Sequence, residues 1–275
     1  MEVNWSSMAG FEGILLVSDL DGTLLNRDGD ITKENYEAIV SFMAGGGYFT
    51  VATGRSLQSF GLLRGNIPTN APIILSGGPL IFDFDTETPL RMISLSKGYI
   101  QLCQAALSAF PDVAAEAHLL DGIWGLGENE LSILHQNIVK TRVTAANTPS
   151  DIPDGWLKAL FIAPHDRLVA LQDWMLPHCQ GKFELVFSHP LLLELQDARA
   201  DKGESASWLA WHLDIPQKNV FCAGDYQNDL SMLKRFRAFA PKSAQPEVIA
   251  SVRRIGPGCD DHFIAWVVSQ LAQSP

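Results

Sequence analysis

The chain has 275 residues, of which 31 are Asp or Glu and 20 are Lys or Arg, giving a formal net charge of −11. That balance lacks the basic footprint by which proteins hold nucleic acid or anionic lipid, so neither is expected as a partner. Apolar residues make up 47% and charged residues 19% of the chain, which suits a globular protein with a sizeable core and room for a second, inserted module.

Residues 1–13 carry no Lys or Arg, and the first apolar run, Ile14 to Val17, is far too short for a signal sequence or a membrane span. Cys103, Cys179, Cys222 and Cys259 are scattered and form no cluster with metal-ligand spacing. A reducing cytoplasm is the expected compartment.

Gly13 to Asp19 reads as a buried parallel strand that ends in a carboxylate, followed by the turn signal Asp21-Gly22-Thr23. A helix is expected from Thr32 as N-cap to Gly45, with Tyr36, Ile39, Val40 and Met43 on its apolar face. The pattern repeats: a strand at Tyr48 to Ala52, a turn at Thr53-Gly54-Arg55, a helix at Ser56 to Arg64 and a third strand at Ile73 to Leu75. Alternation of this kind predicts a doubly wound, Rossmann-like parallel sheet, in which ligands bind beyond the carboxyl ends of the strands.

From about Phe82 the pattern changes. Hairpin-like strands (114–117 and 122–126), helices (97–110, 128–139 and 166–178) and further strands (157–162 and 183–188) predict an inserted α+β module, with 145–155 as a loop inside it. After residues 192–196 the alternation returns with a helix over 202–212, a strand over 219–223, the turn Gly224-Asp225 and a helix through Leu233. The expected organisation is therefore a core of residues 1–82 and 196–275 with a cap over 83–195. Trp156, Trp174, Trp208 and Trp211 are expected in cores or interfaces.

Asp19-Leu20-Asp21-Gly22-Thr23 sets two carboxylates two residues apart at a strand end, so both can project toward one site while Gly22 turns the chain away. One can attack while the other handles protons, as phosphoryl transfer requires. Any one such motif also fits a capped turn or a polar helix start. The weight lies in four polar sites at successive strand ends: DLDGT, Thr53-Gly54-Arg55, Asp201-Lys202-Gly203 and Gly224-Asp225-Tyr226-Gln227-Asn228-Asp229.

In this order the four segments resemble the motifs of the haloacid dehalogenase superfamily. The resemblance implies a phosphatase with Asp19 as nucleophile, forming an aspartyl-phosphate, and Asp21 as the acid and base. It implies that Thr53, Gly54, Lys202 and Asn228 hold the phosphoryl group. Asp19, Asp225 and the Asp21 carbonyl would hold Mg²⁺, supported by Asp229. Only a helix and a strand fit between Asp21 and Thr53, whereas the α+β module stands between Thr53 and Lys202. That placement resembles the Cof-type, subclass IIB branch and implies a small phosphorylated metabolite, a sugar phosphate or a phosphorylated cofactor, as substrate. A phosphomutase of the same fold and a non-catalytic sugar-phosphate binder are the alternatives.

Two segments depart from the Cof-type pattern. Gly77-Gly78-Pro79 lacks the side-chain amide usual there, and Pro241-Lys242-Ser243 exchanges a neutral region for a cation. Both bear on specificity. Gly77 and the cap residues Glu116, His118, Trp124, Arg142 and His189 are the candidates for reading the leaving group.

Overall fold

The structure is a computed structural model that describes residues 10–273; of the N-terminal stretch read above, residues 1–9 lie outside the described residues. In chain order the elements begin with β1 (Leu15–Ser18), α1 (Lys33–Ala44), β2 (Tyr48–Val51), α2 (Leu57–Gly61), β3 (Ile73–Leu75), β4 (Leu80–Asp83) and β5 (Thr88–Met92). They continue with α3 (Tyr99–Ala109), β6 (Ala114–His118), β7 (Ile123–Leu126), α4 (Glu130–Val139), β8 (Val143–Ala146), β9 (Lys158–Ile162), α5 (His165–Cys179), β10 (Phe183–His189) and β11 (Leu192–Asp197). The chain ends with α6 (Lys202–His212), β12 (Val220–Ala223), α7 (Leu230–Arg235), β13 (Arg237–Pro241), α8 (Pro246–Ser251), β14 (Arg254–Gly256) and α9 (Phe263–Ala272).

The first sheet is parallel throughout, in the order β14-β13-β12-β1-β2. Successive side chains of a strand point to opposite faces. Leu16 accordingly packs with Ile39 and Phe42 of α1 and Val267 and Leu271 of α9, while Leu15 and Val17 pack with Leu209 of α6 and Met232 of α7. Helices thus cover both faces, as the alternation predicted. The strand at Ile73–Leu75 joins this sheet through one parallel bridge, Ala52 to Ile74, and makes its ladder with β4 in an antiparallel three-stranded sheet.

The N-cap of α1 is Thr32, whose side chain accepts from the Asn35 backbone N–H. Its apolar face is rotated from the expected one. Asn35, Ala38, Ile39 and Phe42 are buried, whereas Tyr36 and Val40 are 44% and 41% exposed. The cause is Asn35, a polar residue that reads as surface but whose amide donates to the Leu24 carbonyl and accepts from the Ala265 N–H. It ties α1 to the first loop and to α9, and the helix turns accordingly.

The second sheet has the order β10-β11-β9-β6-β7-β8, antiparallel except between β7 and β8. One face carries Ala115, Ala117, Phe161, Leu193 and Leu195 against Leu102 and Ala106 of α3 and Leu168, Leu171 and Met175 of α5. Strand β8 runs into the segment expected as a loop, and a short 3₁₀ turn follows at Pro149–Asp151. The expected boundary at residues 82 and 83 falls inside β4, while the hydrophobic cluster of the second sheet begins at Leu95. Asp197 joins the two passages between the sheets: it accepts from Ser96 N and Oγ at 3.0 and 2.6 Å and from Arg199 Nε at 2.7 Å. Trp156 is fully buried in this second core, but Trp211 on α6 is 71% exposed, contrary to expectation. Among the described residues no helix is long and apolar enough to cross a membrane.

Candidate active site

The carboxyl ends of β1, β2 and β12 meet at one edge of the parallel sheet. Asp19 follows β1, its N–H held by the Ala223 carbonyl of β12 at 2.8 Å. Gly22 then turns the chain with φ +83°, and a Cβ there would lie 2.6 Å from Asp225 Oδ2. Glycine is required at this point both for the left-handed backbone and for the close approach of the Asp225 carboxylate.

Local folding explains the Asp-Lys-Gly motif. Asp201 is the N-cap of α6 and accepts from Glu204 N at 2.7 Å, which fixes Lys202 as the first helical residue, aimed at the site. A Cβ on Gly203 would approach Ser231 O at 2.5 Å, so only glycine lets α6 sit this close to α7.

Lys202 is fully buried, and its Nζ lies 2.6 Å from both Asp19 Oδ1 and Asp229 Oδ1. Asp229 is also fully buried; its other oxygen accepts from the backbone N–H groups of Asp225 and Tyr226 at 2.9 and 3.1 Å. Asp225 Oδ1 accepts from Thr23 Oγ1 at 3.0 Å. Burial tends to strip Lys202 of its proton, but the charges of Asp19 and Asp229 outweigh it and hold the ammonium. Burial and the neighbouring Asp229 push the Asp19 carboxyl well above its ordinary value in spite of Lys202, and the same two causes push Asp225 up to about 7.

Asp19, Asp225 and Asp229 each offer an oxygen within 4.8 Å of the others. One lysine cannot neutralise three carboxylates, and the raised Asp19 and Asp225 express the deficit. An all-oxygen set of this charge fits a hard divalent cation such as Mg²⁺ and offers nothing to a soft one.

Above the edge lies a cavity of ≈ 360 Å³ whose lining includes Asp19, Asp21, Thr53, Gly54, Asp225 and Asn228. Thr53 is buried, and its hydroxyl accepts from Arg55 N at 3.1 Å. Arg55 grips Asp21 with both prongs, Nε to Oδ2 at 2.9 Å and Nη2 to Oδ1 at 2.7 Å. Lys242 forms an exposed pair with Asp261 at 2.8 Å and is not among the lining residues.

Of the cap candidates, His118 and His189 line the cavity, and Glu116 stands behind, held to His118 Nε2 at 3.2 Å and to His135 Nδ1 at 3.4 Å. Trp124 packs against the hydrophobic cluster of the second sheet, Arg142 is exposed, and Gly77 faces Glu194 and Gln196; none of the three lines the cavity. Sequence reasoning missed Arg55, His135, Lys158 and Glu194. Lys158 Nζ donates to the Gly54 carbonyl at 2.8 Å and to Glu194 Oε1 at 2.7 Å, with both side chains buried. For Lys158 and Glu194 the signal was available: each is a charge in an otherwise apolar strand segment, where it can only be paired or functional.

The profile of the haloacid dehalogenase-like hydrolases matches residues 16–268. The chain belongs to this family. Among curated relatives it is 25% identical over 272 residues to an HMP-PP phosphatase of Yersinia enterocolitica, covering 95% of this chain and 96% of that protein. It is 26% identical over 267 residues to the HMP-PP phosphatase of Yersinia pseudotuberculosis, with the same coverage. The fold matches a haloacid dehalogenase-like hydrolase from Bacteroides thetaiotaomicron with TM-score 0.82 at 22% identity, covering 94% of this chain and 99% of that one. It also matches a subclass IIB sugar phosphatase with TM-score 0.81 at 17% identity, covering 94% and 98%. The expected membership of the haloacid dehalogenase superfamily is met.

Proposed function

We propose that the chain is a Mg²⁺-requiring phosphomonoesterase that works through an aspartyl-phosphate on Asp19. The observation that carries this reading is Lys202, 2.6 Å from both Asp19 and Asp229, with Asp19 in the cavity floor. Lys202 draws the Asp19 carboxyl down against burial and Asp229, which together hold it well above its ordinary value, so the attacking carboxylate depends on this ammonium. The Asp19 carboxylate attacks phosphorus, the P–O bond to the substrate alcohol breaks, and Asp21, entering the step protonated and released from Arg55, gives its proton to the departing oxygen. Asp21 then takes a proton from water, which attacks the same phosphorus and breaks its bond to Asp19, releasing phosphate. Thr53, the backbone at Gly54, and Asn228 hold the transferring group. Asp19, Asp225 and the Asp21 carbonyl would hold Mg²⁺, with Asp229 orienting Lys202 and the loop. When bound, the ion would supply positive charge to offset the negative charge on the phosphoryl oxygens.

Residues 93–197 act as the cap in this reading, closed on the core by Lys158. The relatives named for HMP-PP and for sugar phosphates support a small phosphorylated metabolite as substrate. Phosphate release from a metabolite panel with Mg²⁺ tests the proposal. Turnover is expected to vanish with EDTA, to return with Mg²⁺, and to fall by more than about 10⁴-fold in Asp19→Asn, the order seen when a covalent nucleophile is removed. Turnover in metal-free buffer, or in Asp19→Asn near the parent's level, would refute it.

A further inference from the structure

The cavity has two unlike halves. The floor is made of the carboxylates, Thr53, Arg55 and Asn228, whereas the roof is aliphatic: Leu131, Leu134 and Ile138 of α4, Leu160 and Ile162 of β9, and Leu192 of β11. Leu134 and Ile138 are 52% and 61% exposed, apolar side chains with little protein against them beside an active-site cavity.

Most of the roof's polar groups are engaged within the protein, but three buried side-chain atoms of lining residues, His118 Nδ1, Thr141 Oγ1 and Glu194 Oε2, have no partner. His118 and His135 are held by Glu116, His189 Nδ1 accepts from Leu191 N at 3.2 Å, and Lys158 is shared between Gly54 O and Glu194. The Glu116 carboxylate accepts only, so His118 Nε2 carries the hydrogen and its buried, unpartnered Nδ1 is an acceptor. Burial favours the neutral ring that this tautomer needs.

Resting on the phosphomonoesterase reading, we propose that the leaving group is a largely apolar alcohol whose few polar hydrogens meet His118 Nδ1, Thr141 Oγ1 and Glu194 Oε2, and not a polyhydroxylated sugar. An apolar group covers Leu134 and Ile138 and removes them from water. A hexose would bring several hydroxyls against an aliphatic wall that replaces few of the hydrogen bonds they lose.

The test compares kcat/KM for benzyl phosphate and glucose 6-phosphate, with acetyl phosphate as a reporter of phosphoryl transfer that hardly reaches the roof. Benzyl phosphate is expected to exceed glucose 6-phosphate by about tenfold or more, the discrimination an apolar pocket commonly achieves. Leu134→Asn and Ile138→Asn, at half-exposed positions that the fold tolerates, are each expected to narrow that ratio several-fold, with circular dichroism confirming that they are folded. If acetyl phosphate is hydrolysed in an Asp19-dependent way but glucose 6-phosphate matches or beats benzyl phosphate, or if both variants keep the parent's ratio, the inference is overturned and the phosphatase reading stands. If none of the three esters is hydrolysed with Mg²⁺ present, the phosphatase reading itself falls.

Discussion

Among the described residues two lysines are wholly buried, and they are buried for different ends. Lys202, at the floor, sits between two carboxylates, Asp19 and Asp229, each 2.6 Å away. Lys158, in the roof, has one carboxylate, Glu194, at 2.7 Å and one carbonyl, Gly54, at 2.8 Å. The first is held by charges that belong to the proposed chemistry. The second links a cap strand to the loop that follows Thr53, and its carbonyl partner lies across the seam between the two sheets. A buried ammonium is therefore not one signal: what it pairs with decides whether its loss stops the reaction or loosens the enclosure around it.

Breaking the floor pair should have the largest effect. In Lys202→Met the carboxylates of Asp19 and Asp229 face each other across an apolar side chain, and orphaning a buried charge costs about 3–5 kcal/mol. Protonation of Asp19 relieves the repulsion at the expense of the proposed nucleophile. Turnover should fall by about 10²–10³-fold or more, as when a preorganised charge partner is removed from a reacting group, with a lower melting temperature measured on the same samples. A variant with near-parental kcat would mean that Asp19 does not depend on this ammonium.

The roof pair should cost less and in a different currency. Lys158→Met removes a charge-assisted hydrogen bond to Gly54, worth about 1.5–3 kcal/mol, and strands Glu194. Because Gly54 and the cap are separate sides of the cavity, kcat and KM should change together, with kcat/KM down roughly tenfold to a hundredfold. Adding Glu194→Gln removes the stranded charge and should restore most of the stability but not the KM, since the link to Gly54 stays broken. Recovery of both would make Lys158 a structural residue only.

The same contrast explains what could be read from the chain alone. Floor residues sit at the ends of short apolar strands, where Asp19, Thr53 and Asp225 stand out by position, and Lys202 follows a capping Asp201 that marks the helix start. Local rules suffice there, and α6 begins and ends where expected. Roof residues come from strands that are neighbours in the sheet, β11-β9-β6, but not consecutive in the chain, and from α4, so nothing local brings Lys158 to Glu194 or Glu116 to His135. Asn35 misled for the same reason: its partners, Leu24 and Ala265, come from different ends of the core. Trp124 looked equal to His118 as a cap residue, and only the sheet's pleat separates the row facing the cavity from the row facing α3 and α5; Arg142 precedes β8 and is exposed.

The smallest effect expected is on the acid side of the stability profile, and it isolates the roof from the floor. Burial alone would raise the Glu116 carboxyl; hydrogen bonds from His118 and His135 and their positive charge outweigh it and hold it at about 2, below the ordinary 4.5. A carboxyl held down in the folded state contributes stability that is complete above pH 4.5 and is lost as pH falls toward 2. His118 is shifted below its ordinary 6.5, chiefly by burial, so the folded protein resists protonating it and stability already declines as pH falls through 6.5. Both act in the same direction but share one hydrogen bond, so they do not add in full. Glu116→Gln should therefore keep the decline that begins near 6.5 and lose much of the further decline below 4.5. The difference amounts to a few degrees in melting temperature, on the order of 1 kcal/mol. Melting curves of parent and variant between neutral pH and the carboxylate range measure it. Parallel profiles below pH 4.5 would mean that Glu116 is not held ionised by the two imidazoles, and the fixed tautomer of His118 would lose its support with it.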